Sequence, residues 1–140
     1  MKIFVDTNIF IDILLGREPF FSASALVYKL CENDKMEGYI APITINNIHY
    51  ICRKAKRAEE IKAFLTELSS VFTIAVMDSE TLRRAEKLPL NDHEDALQYV
   101  LAQQHACRYL LTRNTKDYKN VRSVEVMTPE SFLTMLERGL

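Results

Sequence analysis

Carboxylate and amide side chains recur in three short segments of this sequence: Asp6-Thr7-Asn8, Asp92-His93-Glu94-Asp95, and Thr112-Arg113-Asn114 with Asp117 just beyond. Gathered carboxylates repel one another unless protons, arginines or a divalent cation neutralise them. Oxygen donors of this kind suit Mg²⁺ or Mn²⁺, and Mg²⁺ keeps several waters while taking only a few protein carboxylates. Such an ion lowers the pKa of a bound water and steadies the charge on a phosphoryl group. Each acid taken singly has a plainer role. Asp6 could cap a helix, Asp92 or Asp95 could be a first-turn acid favoured by the helix dipole, and Asp117 could close a turn. Only a shared location turns them into a site, so the elements that position them decide the matter.

Ile3-Phe4-Val5 is a short apolar run closed by Asp6 and reads as a buried strand. Ile9, Phe10, Ile13 and Leu14 then fall at helical spacing until Gly16 and Pro19. Ser22 is expected to cap a second helix with Ala25, Leu26, Leu30 and Cys31 on one face. Tyr39-Ile40-Ala41 reads as a strand that Pro42 ends, and Thr44 as the N-cap of a helix carrying Ile45, Ile48, Ile51 and Cys52. A helix with Ile61, Phe64, Leu65 and Leu68 inward follows. Phe72 to Met77 is expected as a third strand, and Ser79 as the cap of a short helix holding Leu82 and Ala85. The next helix runs from near Asp92 to about His105, Arg108–Thr112 and Val124–Met127 are strands, and Thr128-Pro129 opens a last helix. Strands alternating with helices imply a three-layer α/β/α sandwich with a mostly parallel, about five-stranded sheet. Function in such sheets collects at the carboxyl ends of the strands. The three acidic segments all fall there.

The chain's 140 residues make one domain, 1–140, with 48% hydrophobic and 26% charged residues and only three Gly and four Pro, which excludes disordered and low-complexity architectures. Cys31, Cys52 and Cys107 are widely spaced and form no C-x-x-C, so buried thiols in a reducing compartment are expected rather than a disulfide framework or zinc cage. No apolar run approaches a membrane span and Met1 to Asp6 has no signal-like apolar core, so a cytoplasmic protein with no membrane partner is expected. Eighteen Lys+Arg against 19 Asp+Glu give a net charge of -1, which excludes a protein coated in positive charge for duplex binding. That sum still permits acids and bases sorted onto neighbouring surfaces.

Asp6-Thr7-Asn8, Asp92-His93-Glu94-Asp95-Ala96-Leu97-Gln98 and Thr112-Arg113-Asn114-Thr115-Lys116-Asp117-Tyr118 together resemble a PIN domain, and Val126 to Leu133 fits the same family. The likeness runs over nearly the whole chain, and three ordered motifs at the expected strand ends make it specific. Length and compactness resemble the VapC-like toxins of prokaryotic toxin–antitoxin pairs. The resemblance implies Mg²⁺- or Mn²⁺-dependent cleavage of single-stranded RNA, homodimers, and an antitoxin partner. It assigns Asp6, Asp95 and Asp117 to the metal, with Asp92 as a further acid. Asn8, Thr112 and Asn114 match polar residues beside the site. The departure falls at Asn47, or at its neighbour Asn46, where the family commonly places a Glu. Its loss leaves a second reading open, a weakened PIN domain that binds RNA or protein without cutting. Other α/β phosphohydrolases fit less well: a haloacid-dehalogenase-like enzyme needs an Asp where Asn8 stands, and a receiver domain needs an acidic pair before the first loop.

Two groups of bases lie beside these motifs. Arg108, Arg113, Lys116, Lys119 and Arg122 surround Asp117, with Arg113 and Lys116 the expected phosphate contacts. Arg53, Lys54, Lys56 and Arg57 follow the Asn47 helix and suit phosphate or ordinary ion pairs equally. Tyr118 and Tyr50 are the best-placed aromatics for base stacking. His49, His93 and His105 are scattered and expected in surface or capping roles, His93 being the one near the acids.

Overall fold

A computed structural model describes residues 1–139. Its elements in order are β1 (Lys2–Val5), α1 (Thr7–Leu15), α2 (Phe21–Glu32), β2 (Glu37–Ile40), α3 (Pro42–Cys52), α4 (Ala58–Val71) and β3 (Thr73–Ile74). There follow α5 (Ser79–Glu86), α6 (His93–Gln104), β4 (Tyr109–Leu111), a 3₁₀ turn (Thr115–Tyr118), β5 (Glu125–Met127) and α7 (Pro129–Glu137). The five strands form one parallel sheet in the order β3-β2-β1-β4-β5.

Strand periodicity sorts the core into two sides. Ile3, Val5, Tyr109 and Leu111 pack with Phe10, Val27, Ile48, Leu68 and Phe132, under helices α1 to α4 and α7. Phe4, Tyr39 and Leu110 point the other way, onto Tyr99 and Leu101 of α6. Alternate residues of one strand thus serve opposite layers, and both faces are covered, as a parallel sheet requires. At β2 the approach is close: a Cβ on Gly38 would run into the Phe72 ring. Glycine is needed there to bring the α4 end against the sheet.

Several local expectations are corrected. The α2 helix begins at Phe21 with Phe20 at its N-cap, so Ser22 lies inside the first turn. Thr44 does not cap α3; Pro42 starts that helix, and Thr44 is buried, its hydroxyl 2.8 Å from that of Thr7. Asp78, not Ser79, caps α5, accepting from the Thr81 N–H at 3.1 Å. The third strand pairs only at Thr73–Ile74, and Val76 and Met77 leave the sheet exposed, because β3 is an edge with a single neighbour. Leu26, Ile51 and Leu82 are exposed despite their helical spacing. The expected buried thiols are found, with Cys31, Cys52 and Cys107 all free and buried. Among the described residues no helix is long and apolar enough to cross a membrane.

Candidate active site

The chain moves outward from β1 to β2 and β3 on one side of the sheet, then returns to place β4 and β5 on the other. Between β1 and β4 the crossovers leave in opposite directions, which opens a crevice at the carboxyl ends of those strands. Asp6 stands directly after β1 and donates its backbone N–H to the Leu111 carbonyl at 3.0 Å. Thr112 follows β4. Helix α6 points its N-terminus at the same crevice, and the 3₁₀ turn carries Asp117 to its rim.

Asp6 is buried, 6% exposed, and both its oxygens are engaged. Oδ1 accepts from Gln98 Nε2 at 2.9 Å, and Oδ2 accepts from Thr112 Oγ1 at 2.7 Å. Burial raises the Asp6 pKa above its ordinary value, against the lowering effect of those two donors. Gln98 Nε2 also faces the Tyr118 hydroxyl at 3.4 Å, and that hydroxyl donates to Asp95 Oδ1 at 3.1 Å. A polar chain therefore runs Asp6–Gln98–Tyr118–Asp95, with Gln98 and Tyr118 both buried. Burial, then the charges of Asp92 and Asp6, push the Asp95 carboxyl up to about 7. Asp92 caps α6, its Oδ1 accepting from the Asp95 N–H at 3.0 Å. Glu94 is raised as well, by burial first and then by Asp6 and Asp92. Asp92, Asp95 and Asp117 line an open cleft of about 420 Å³ together with Lys116 and Lys119.

These placements sort the sequence expectations. Asp6, Asp92, Asp95 and Asp117 do come together at one sheet edge, and Lys116 joins the last three in the cleft. Thr112 is fully buried, so it holds Asp6 and offers no surface to a substrate. Arg113 has a different partner from the expected phosphate. Its Nε lies 2.9 Å from the buried Asp12 carboxylate of α1, and its guanidinium stacks on the Phe20 ring. The Asn114 N–H donates to Thr112 Oγ1 at 3.1 Å, while its side chain is exposed. Asn8 keeps a buried Oδ1 without a partner. Asn47 donates to Glu94 Oε2 at 2.9 Å. His93 lines a separate cavity with Met77, Leu82 and Leu97.

Sequence reasoning singled out neither Glu94 nor Gln98 for the site. Gln98 lies one helical turn beyond Asp95 and Glu94, a spacing that puts it beneath Glu94 on α6 and could have drawn notice.

Fit to a divalent cation rests on these donors. All are oxygens, the gathered charges help to raise the pKa values of Asp6, Glu94 and Asp95, and Gln98 Oε1 and Asn8 Oδ1 are buried with no partner. Among the described residues no three His, Cys, Asp or Glu side chains form a ready-made metal cage. An ion held by one or two carboxylates and several waters, as Mg²⁺ prefers, suits that arrangement.

The sequence profile of the PIN domain family matches residues 2–116. The chain belongs to the PIN-domain family. The match includes Asp6, Asn47 and Asp95 and stops one residue short of Asp117. This PIN domain is 25% identical over 136 residues to Ribonuclease VapC1 of Aquifex aeolicus (strain VF5), spanning 94% of this chain and 92% of that protein. Its fold is shared by VapBC2 from Rickettsia felis bound to a DNA fragment from its promoter, at a TM-score of 0.66 and 17% identity. That match covers 91% of this chain and 98% of the other. VapBC-1 from nontypeable Haemophilus influenzae matches at a TM-score of 0.67 and 14% identity, covering 93% and 99%.

Proposed function

We propose that this PIN domain is a Mg²⁺- or Mn²⁺-dependent endoribonuclease acting on single-stranded RNA, and the toxin of a toxin–antitoxin pair. The observation that carries the reading is the convergence of Asp6, Asp92, Asp95 and Asp117 at the β1–β4 crevice, with Lys116 and Lys119 beside them. Likeness to a ribonuclease along nearly the whole chain, and to toxin–antitoxin assemblies in fold, supports it.

Asp6, Asp95 and Asp117 would hold the ion, one or two of them directly and the rest through its waters, with Asp92 at the rim. Thr112 and Gln98 fix the Asp6 carboxylate, so its oxygens need no reorganisation when substrate arrives. Lys116 and Lys119 face the same cleft and suit the phosphates flanking the cut. When bound, the ion supplies a water of lowered pKa and positive charge toward the scissile phosphate. An antitoxin segment laid over the crevice, a homodimer and a cytoplasmic setting complete the reading. Asn47 favours one alternative, a PIN domain that binds RNA without cleaving it.

Structured and unstructured RNA incubated with the purified protein and Mg²⁺ or Mn²⁺ tests this. Cleavage should appear with metal, stop with EDTA, and fall by roughly a hundredfold or more in Asp95→Asn. RNA binding without cleavage would favour the alternative, and cleavage that survives both EDTA and Asp95→Asn would overturn the nuclease site.

A further inference from the structure

Asn47 reaches across from α3 to α6, donating from Nδ2 to Glu94 Oε2 at 2.9 Å. The other Glu94 oxygen faces Thr7 Oγ1 at 3.4 Å, and Thr7 directly follows Asp6. Thr7 is itself tied to Thr44 on α3 at 2.8 Å, so the start of α1, α3 and α6 meet at Glu94. Two carboxylates at positions 47 and 94 would stand at hydrogen-bonding distance with like charge. One carboxylate and one amide instead form a charge-assisted bond.

Glu94 is not needed to start its own helix. Asp92 already caps α6 by accepting from the Asp95 N–H at 3.0 Å, and Glu94 directs its oxygens to α3 and Thr7. We propose that Glu94 is the acid that α3 lacks: it helps hold a divalent cation beside Asp6 and Asp95, and Asn47 is the positioning residue that aims it. The negative charge has changed elements without leaving the crevice. This rests on the metal-dependent nuclease reading above.

Glu94→Gln discriminates between a ligand and a structural tie, because a glutamine oxygen can still accept from Asn47 while the charge is gone. Mn²⁺ binding to the full chain is followed by the loss of the free-ion electron paramagnetic resonance signal, alongside thermal unfolding. Glu94→Gln should weaken Mn²⁺ binding by about tenfold or more with an unfolding midpoint at or above that of the parent. Returning the charge to α3 in Asn47→Glu/Glu94→Gln, or in Asn47→Asp/Glu94→Gln, should restore most of the affinity. Glu94→Gln binding as tightly as the parent while Asp95→Asn binds weakly would overturn the assignment of Glu94 alone. Weakening that neither exchange variant rescues would overturn the exchange of charge between elements. Asp95→Asn binding as the parent does would instead bring down the metal reading on which this inference stands.

Discussion

Asp6 illustrates how much of a buried carboxylate's behaviour belongs to its neutral neighbours. Buried without donors, it would take up a proton; Thr112 and Gln98 oppose that by donating to both oxygens. Gln98→Leu keeps the volume, removes the donor to Asp6 and also removes an unpartnered buried oxygen. The lost donor to a buried acceptor should cost about 1–2 kcal/mol in folding, offset in part by the loss of the unpartnered oxygen. Single-turnover RNA cleavage should fall by roughly 10- to 100-fold, in the range expected when a residue supporting a metal ligand is lost. An unchanged rate would show that Thr112 alone fixes Asp6.

Elements are pinned around the crevice by pairs the strand and helix patterns do not reveal. Arg113 after β4 meets Asp12 of α1 at 2.9 Å, and Asp12 is fully buried. Arg17 also pairs with Asp12, at 3.8 Å and half-exposed, so removing Arg113 leaves the buried charge poorly compensated. Arg113→Met should cost about 3–5 kcal/mol in urea unfolding, and Asp12→Asn/Arg113→Met should recover most of it. Because Arg113 is committed to Asp12, the double variant should retain its affinity for RNA; a large loss would return Arg113 to the substrate. At β2, Gly38→Ala should destabilise by about 1–3 kcal/mol through the Phe72 ring, and Phe72→Leu in the same chain should relieve part of it.

At the scale of the molecule, a net charge of -1 conceals a local excess of acid at one sheet edge. Without metal, the Asp95 carboxyl is pushed up to about 7 from an ordinary value of 3.8. The folded state thus binds more protons than the unfolded one between those values. Stability falls as pH rises through that window, and the full cost is present above it. In EDTA, Asp95→Asn should raise the unfolding midpoint at about pH 8 and change it little at about pH 4. Asp95 is partly exposed, so solvent screening reduces the expected gain to about 1 kcal/mol, or about 3 °C. Mg²⁺ should stabilise the parent at about pH 8 and the variant much less. Equal stabilisation of both would place the ion elsewhere.

The alternating strand and helix patterns, the apolar strands and the strand-end acids determined the three-layer sandwich and the edge at which Asp6, Asp95 and Asp117 meet. Those features are local: a buried parallel strand is a short apolar run, and its carboxyl end is the next residue. Helix starts were less legible, because Pro42 and Asp78 competed with Thr44 and Ser79 for the same ends. The partners of Thr112, Arg113, Asn47 and Gln98 were decided only by the tertiary structure. Each lies 47 to 106 residues from the acid it touches. Spacing along a chain orders the faces of one element, but only packing chooses which faces meet.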